Sequence, residues 1–315
     1  MKINSVLPYI VLMVCFLCTC TKNDIEEKLL EEESILAEFI KNTFGAAADS
    51  LGGGAFLFKT LKNDHGAKVE AGNYILWNWK VTNQTTEKLE YTSDKSSEKF
   101  SDSYVDGGPE LTIVLSTFPI DEGLKKMNKG EKGDVYIPSR WTYRDMQTRI
   151  FSVDIVDVIK DLSIYQEDLM YRYIRRNFRD AKVDTVKNVI STIDNTEYNV
   201  MYHIIEQGDG DAITKGMNIV TKTSTSYMVR ERDEHPYPFD EDRRWLTNSG
   251  EKINTLTKTN CVGEILEKMN KGGKVVVAMS SKLCWEDKNL PKNKQTDQYY
   301  IPKWSVVAFT ININK

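Results

Sequence analysis

The chain has 315 residues and a formal net charge of −4, with 42 Lys and Arg residues dispersed among 46 Asp and Glu residues. A protein whose main partner is nucleic acid would concentrate its basic residues on one face, so nucleic acid is not expected as a partner. The histidines at positions 65, 203 and 235 have no cysteine or carboxylate at ligand spacing. No metal site is therefore expected, and the length suffices for two domains of ordinary size.

The first residues of the chain are typical of an export signal. Met1-Lys2 give a positive start, and residues 6–17 are almost wholly apolar, but they are too few to span a bilayer, which needs about 20 apolar residues. The segment Leu17-Cys18-Thr19-Cys20 resembles the lipobox of bacterial lipoproteins, in which the cysteine, here Cys20, is acylated and becomes the first mature residue. We therefore predict a lipoprotein signal peptide over 1–20; an ordinary cleaved signal or an uncleaved anchor is the alternative.

This resemblance implies a protein that is lipid-anchored in the cell envelope, on the periplasmic or surface face of the outer membrane. Several acyl chains on Cys20 would anchor the chain stably, because each buried CH₂ contributes about 0.8 kcal/mol. Residues 21–50 are predicted to form an acidic tether and an amphipathic helix from about Ile25 to Phe44. Of the cysteines beyond the signal, Cys261 and Cys284 could pair in an oxidising compartment, or they could be small buried hydrophobic residues.

The chain contains one internal duplication. The sequence Lys-Met-Asn-Lys-Gly occurs at 126–130 and again at 268–272. In both copies it ends a short helical pattern and precedes a β-rich run. The glycine just past the helix can adopt the left-handed conformation that ends many helices. The repeat therefore predicts the same helix–turn–strand arrangement twice.

Alternating strands close both copies, and an amphipathic helix precedes each copy. The residues expected on one face of the closing strands are Phe151, Val153 and Ile155 in the first copy, and Val307, Phe309, Ile311 and Ile313 in the second. The second amphipathic helix runs from about Ser163 to Phe178. We predict that residues 51–160 and 198–315 form two units, and that residues 161–197 form a linker helix between them.

The order of these elements resembles the FKBP family of peptidyl-prolyl isomerases. Two strands, a helix ending Met-x-x-Gly, a strand with a Pro or Ser step and a closing Phe-x-x-x-Ile strand follow one another in both copies, over most of residues 55–160 and 198–315. The resemblance implies an α+β fold with two FKBP-like units. Each unit would be a curved antiparallel sheet wrapped around one short helix.

The resemblance assigns a pocket to the first copy. Trp79 matches an aromatic residue of the second strand, and Tyr91 matches a phenylalanine that precedes an aspartate in the family, although no aspartate follows it here. Tyr143 matches the tyrosine whose hydroxyl donates to the substrate carbonyl, and Phe151 matches the phenylalanine of the last strand. Ile120 replaces the tryptophan that forms the pocket floor in the best isomerases of the family.

The second copy keeps the longer set of matches. The positions that correspond to family pocket residues are Phe239, Asp240, Val262, Trp285, Ile301 and Phe309. Trp285 replaces the tyrosine, Val262 replaces the floor tryptophan, and the long loop before the last strand is retained. This completeness predicts that isomerase activity lies mainly in residues 198–315, at a low rate because both copies lack the floor tryptophan.

Prolyl isomerisation needs no nucleophile, metal or cofactor, because its barrier is the loss of amide resonance. A dry aromatic pocket disfavours the planar, more dipolar amide relative to the twisted one. Tyr143 offers a phenol that can hold the carbonyl, and Trp285 offers an indole N–H. The implied function is an envelope-anchored peptidyl-prolyl isomerase with holdase character, whose partners are the membrane and proline-containing exported polypeptides.

A second hypothesis is a non-catalytic binding or scaffolding lipoprotein that retains the fold. Trp79, Tyr91 and Phe151 lie at alternating strand positions, where aromatic residues commonly pack in a sheet. Asp240 could pair with Arg243 on the surface, where an ion pair contributes little. An open cavity around the aromatic residues would favour the isomerase, and a filled cavity would favour the scaffold. Capture of polysaccharide on exposed tryptophans is the least favoured hypothesis.

Overall fold

The computed structural model describes residues 7–93, 110–115, 118–191, 195–230, 235–236, 241–246, 261–284 and 304–315. Side chains are described within those ranges from Asp24 onward, except at 235–236, 241–246 and 281. The described residues divide into two compact units, of which the first ends at Val158 and the second begins at Ile159. Each unit is built on one sheet whose strands pair antiparallel. Antiparallel sheets with few helices agree with the predicted α+β class.

Within the residues that the structure describes, the first unit contains the helices α1 (Leu7–Thr43) and α2 (Pro119–Lys125). Its strands are β1 (Ala48–Gly52), β2 (Ala55–Leu61), β3 (Tyr74–Asn83), β4 (Leu89–Thr92), β5 (Glu110–Ile113), β6 (Lys132–Ile137) and β7 (Arg149–Ile159). Short 3-10 turns span Gly45–Ala47 and Ser139–Trp141. The strand order is β1-β2-β6-β7-β3-β4, and β5 pairs with β3.

Strand β7 separates the inner core of the first unit from its outer face. Phe151, Val153 and Ile155 lie on one face, as the alternation predicted, and they pack with Leu124 of α2 in one hydrophobic cluster. Because successive side chains point to opposite faces of a strand, Ile150 faces the other way and belongs to a separate cluster.

Helix α1 covers part of that outer face. Leu36 and Ile40, one helical turn apart, are 2% and 3% exposed and pack with Tyr136 of β6. Phe44, just beyond the helix, stacks on Phe58 of β2 with ring centroids 4.2 Å apart. The sequence predicted the amphipathic helix but not its packing, so the segment predicted as a tether is a structural part of the first unit. In the part of the chain that the structure describes, no helix has the length and apolarity needed to cross a membrane.

The described part of the second unit contains the helices α3 (Leu162–Asn177) and α4 (Cys261–Leu266). Its strands are β8 (Asp184–Ile190), β9 (Glu197–Glu206), β10 (Asn218–Met228), β11 (His235–Pro236), β12 (Glu241–Leu246), β13 (Lys274–Ser280) and β14 (Val306–Ile313). A 3-10 turn spans Ser281–Leu283. The strand order is β11-β10-β14-β13-β9-β8, and β12 pairs with β10.

The inner core of the second unit contains the predicted face of β14. The residues of β14 in this cluster are Val307, Phe309, Ile311 and Ile313. Cys261 and Cys284 lie in the same core as buried thiols, not joined by a disulfide. The structure therefore agrees with the alternative that these cysteines are small buried hydrophobic residues.

Helix α3 covers the outer face of the second sheet. The carboxylate of Asp161 caps the helix by accepting hydrogen bonds from the N–H groups of Ser163 at 2.9 Å and Ile164 at 3.2 Å. The helix buries one face at the spacing of an amphipathic helix. That face consists of Leu169, Met170, Tyr173 and Ile174, and it packs on Val276 and Ala278 of β13 and on Val306 and Ala308 of β14.

Residues 161–197, predicted as a linker, instead supply two elements of the second unit. Besides α3, they contain β8, which pairs with β9. Val186 and Val189 of β8 pack against the inner core although they are three residues apart. The register shifts between them, and Asn188 adopts a positive φ of 57°. Such a bulge breaks the two-residue period, which is why this strand reads as a polar stretch in the sequence.

The duplicated turn has the same conformation in both units. Gly130 and Gly272 have φ values of +82° and +77°, as predicted for glycines that end a helix. The turns also make matching backbone hydrogen bonds, from Val69 N–H to Met127 O at 3.1 Å and from Ile213 N–H to Met269 O at 3.0 Å. The repeat in the sequence is therefore a repeat in the structure.

Glu131 joins this turn to the segment after β2 in the first unit. Its side chain has no exposed surface. It accepts hydrogen bonds from Lys59 Nζ at 2.8 Å and from the N–H groups of Asn63 at 3.0 Å and Asn128 at 2.8 Å. Burial alone would raise the pKa of Glu131, but these hydrogen bonds outweigh it and hold the pKa below its ordinary value.

We expect Glu131→Ala to lower the free energy of unfolding of the first unit by roughly 2–4 kcal/mol, because three hydrogen bonds to a charged group are lost and their donors are left unpaired. Glu131→Gln keeps an acceptor and should lose less. The contribution of Glu131 is present above the unfolded-state pKa, which is about 4.3, and it disappears as the pH falls through the lower folded-state pKa.

Urea unfolding of wild type and both variants, at neutral pH and at about pH 3, measures the free energy that Glu131 contributes to stability. The gap between wild type and Glu131→Ala should shrink on acidification. An equal gap at both pH values would contradict the assigned charge state of Glu131.

Candidate functional site

Three of the predicted pocket residues of the first unit share one core cluster. Trp79 on β3, Ile120 on α2 and Phe151 on β7 all pack against the inner cluster and are all half-buried. They come from three different elements and reach the same side of the sheet. This side therefore presents apolar and aromatic surface that is partly accessible to solvent.

The hydrogen bonds of Trp79 fix the orientation of its ring. Its indole N–H donates to Glu110 Oε2 at 2.6 Å, and its backbone N–H donates to Ser93 Oγ at 2.9 Å. The ring of Trp77 lies 6.1 Å away, tilted by 36°. The indole N–H of Trp77 is buried and makes no hydrogen bond. The sequence placed Trp79 correctly on β3 but did not reveal Glu110 as its partner.

Tyr143 and Tyr91 meet at their hydroxyl groups. Tyr143 follows the 3-10 turn Ser139–Trp141 and is 53% exposed, and its hydroxyl donates to the hydroxyl of Tyr91 at 3.3 Å. This hydrogen bond, together with burial, raises the pKa of Tyr143 to about 12. The phenol therefore keeps its proton at neutral pH and can donate a hydrogen bond.

Arg149 holds the segment that carries Tyr143. Its guanidinium lies 4.8 Å from the centroid of the Tyr143 ring, forms an ion pair with Asp145, and donates to Glu90 Oε2 at 3.1 Å. The hydrogen bond to Asp145 raises the pKa of Arg149, and the same bond from Arg149 holds the pKa of Asp145 below its ordinary value. The sequence predicted neither Asp145 nor Glu90 as a partner of Arg149.

The second unit encloses the two described residues that correspond to this site, Val262 and Phe309. Val135 pairs with Phe151 in the first sheet, and Val277 pairs with Phe309 in the second, so the two phenylalanines are equivalent. Phe309, however, has no exposed surface, and Val262 is 1% exposed. A peptide could not reach the Phe309 ring without a rearrangement of this core.

The remaining predicted site residues lie outside the part of the chain that can be described. These are Phe239, Asp240, Trp285 and Ile301 of the second unit, and the side chain of Cys20. Among the described residues, no group of three or more His, Cys, Asp or Glu side chains is arranged to hold a metal ion.

No protein-family model matches the sequence, and no curated protein matches it. Among solved structures, the chain is similar to a peptidyl-prolyl cis-trans isomerase from Pseudomonas syringae pv. tomato, with 17% identity over 42% of this chain and 95% of that chain, at a TM-score of 0.33. It is similar to FkpA from Escherichia coli, with 16% identity over 50% and 74% of the two chains, at a TM-score of 0.35.

The chain is also similar to the three FKBP domains of wheat FKBP73, with 10% identity over 86% of this chain and 98% of that chain, at a TM-score of 0.30. At these identities, the role of each residue has to be argued from the geometry of this chain.

We expect Tyr91→Phe to lower the pKa of Tyr143 from about 12 toward its ordinary value of 10.0, because the hydrogen bond from Tyr143 to Tyr91 is the largest cause of the shift. The measurement is a pH titration of carbon-labelled tyrosine rings by NMR, with Tyr143→Phe used to assign the signal. An unchanged titration midpoint in Tyr91→Phe would show that the two hydroxyl groups do not interact in solution.

Proposed function

We propose that the chain is an FKBP-like peptidyl-prolyl isomerase of the cell envelope, with a low rate. We place its pocket in the first unit, and not in residues 198–315 as the sequence predicted, because Phe309 and Val262 are enclosed. The observation that carries this proposal is the half-buried group of Trp79, Ile120 and Phe151 on one side of the sheet. Tyr143 stands exposed in the same unit with a protonated phenol. X-Pro bonds in exported polypeptides are the proposed substrate.

The chemistry needs few groups. An apolar surface favours the twisted amide over the planar one, because the twisted form is less dipolar. The Tyr143 phenol would turn its single O–H from Tyr91 to the carbonyl that precedes proline. The ordinary pKa of a phenol, about 10, already keeps that proton in place at physiological pH. Ile120 in place of a large aromatic floor leaves the proline ring less tightly held, which supports a low rate.

The strand order supports two FKBP-like units as the product of one duplication. Without the added edge strands, the order is β2-β6-β7-β3 in the first unit and β9-β13-β14-β10 in the second. Corresponding strands occur in the same sequence order, and each unit has one short helix immediately before the duplicated turn. We propose that these are the two domains of the protein.

A non-catalytic role is the second candidate, and it applies to the second unit. Phe309 is fully enclosed, and the positions before it on the pairing strand are taken by the buried Thr221 and Thr223, whose hydroxyl groups lie 3.0 Å apart. A closed core of this kind supports binding of polypeptide through the surface of the unit, not through a pocket.

Point variants of the full-length chain decide between the units. We expect Tyr143→Phe to lower kcat/KM on a proline-containing peptide about tenfold, because one hydrogen bond to the reacting amide is lost. Trp285→Leu should leave the rate unchanged, and Tyr171→Phe is a matched control that removes a phenol from α3. A rate lost in Trp285→Leu but kept in Tyr143→Phe would move the active pocket to the second unit. No acceleration by wild type would leave the non-catalytic role.

We propose Cys20 as the lipid anchor and the outer membrane as the location. The lipobox-like sequence Leu17-Cys18-Thr19-Cys20 supports this proposal. Cys20→Ala should move the protein from the membrane fraction to the soluble fraction of cells, because acyl chains supply the membrane affinity. A variant that stays in the membrane fraction would show that another segment provides the anchor.

A further inference from the structure

The loop between β6 and β7 carries Tyr143 and is closed at its base by two buried hydroxyl residues. Ser139, at the start of the loop, has no exposed surface, and Thr148, at its end, is 5% exposed. The loop is short, so the position of the Tyr143 phenol depends on how this base is held.

One carboxylate from helix α1 holds both ends of the loop. Glu32 accepts a hydrogen bond from the backbone N–H of Ser139 at 2.9 Å and another from the Ser139 hydroxyl. It also accepts one from the hydroxyl of Thr148 at 3.0 Å. We call this set of three residues the Glu32 clasp.

Ser139 connects the Glu32 clasp to the middle of the loop through two further hydrogen bonds. Its hydroxyl oxygen accepts from the N–H of Met146 at 3.1 Å, and its carbonyl accepts from the N–H of Arg144 at 2.8 Å. Arg144 and Met146 have positive φ values of 55° and 60°. Residues other than glycine hold this conformation only where their surroundings impose it. The clasp is the part of the surroundings that reaches both residues through Ser139.

Two other carboxylates of α1 contact the loop from its surface. Arg140 donates to Glu33 Oε1 at 2.5 Å and to Glu26 Oε2 at 2.8 Å. The Arg140–Glu33 pair is the more buried of the two, with 25% and 19% of the side chains exposed, whereas the Glu26 side chain is 47% exposed. Glu33→Gln is a matched control for Glu32→Ala: Glu33 is the next residue on the same helix, its contact is with the Arg140 side chain and not with Ser139 or Thr148, and glutamine keeps an oxygen that can accept from Arg140.

We propose that Glu32 is a positioning residue for Tyr143: the docked helix α1 fixes the loop through the Glu32 clasp and so aims the phenol at the bound peptide. This inference rests on the proposed function for its catalytic consequence, but the clasp itself can be tested without activity. It gives the helix that follows the proposed anchor a part in the proposed site.

Amide hydrogen exchange tests the clasp directly. In the full-length wild type, the N–H groups of Ser139, Arg144 and Met146 should be protected. Glu32→Ala should raise exchange over residues 139–148 about tenfold or more, while peptides within β6 and β7 stay protected. Glu33→Gln should leave the loop as in wild type. Wild-type exchange of the loop in Glu32→Ala would overturn the inference.

Kinetics test the positioning role. Glu32→Ala should lower kcat about tenfold with little change in KM, because the donor is needed in the transition state. Adding Tyr143→Phe to Glu32→Ala should cost nothing further, since both changes remove the same interaction. Losses that multiply would show that Glu32 acts on something other than Tyr143. If wild type shows no isomerase activity, the proposed function fails and the catalytic role of Glu32 fails with it, while the exchange results still decide the clasp.

Discussion

The whole structure depends on covering both faces of its central strands. In β14, Val307 and Phe309 point into the inner core, while Val306 and Ala308 point outward and are equally buried. An antiparallel sheet can leave one face in water only if that face is polar. In the second unit the outward residues of β14 are apolar, so that unit needs α3 on the outside. In the first unit α1 covers the apolar part of the outer face.

Helices α1 and α3 cover the outer faces of their sheets to different degrees, and the difference follows from the residues of the strands beneath them. In the second unit the outward residues of β13 and β14 next to α3 are small or branched, namely Val276, Ala278, Val306 and Ala308, which lets the helix lie flat on the sheet. In the first unit α1 covers Ile150 and Tyr136, but Ser152 and Asp154 further along β7 are polar and line an open groove of about 550 Å³. Helix α1 thus covers only part of this face, and its carboxylates Glu26, Glu32 and Glu33 contact the loop after β6.

Among the described residues, the two inner cores differ in how far they enclose the phenylalanine of the closing strand. Phe151 and Phe309 are equivalent by register, yet only Phe309 is fully enclosed. Trp79 on β3 is oriented by its hydrogen bond to Glu110 and stays half-buried, whereas the buried Thr223 in the second unit forms its side-chain hydrogen bond to Thr221. A large half-buried ring leaves apolar surface near solvent, and a small hydroxyl residue lets the core close.

Features with a local sequence signal could be predicted, and features that depend on distant residues could not. The left-handed Gly130 and Gly272 follow from the repeat, and the buried faces of β7 and β14 follow from alternation. Strand β8 was missed because a bulge at Asn188 interrupts its period. The contacts of Glu32 join residues 107 and 116 positions apart, and nothing local marks such pairs.

The same long-range contacts make the N-terminal helix α1 a structural part of the first unit. Leu29 is the first described residue of α1 that is fully buried, nine positions after Cys20. At 1.5 Å per residue, a helix of that length spans about 14 Å. Acylation at Cys20, as proposed, would then hold the first unit close to the bilayer surface, with Glu32 one turn beyond Leu29.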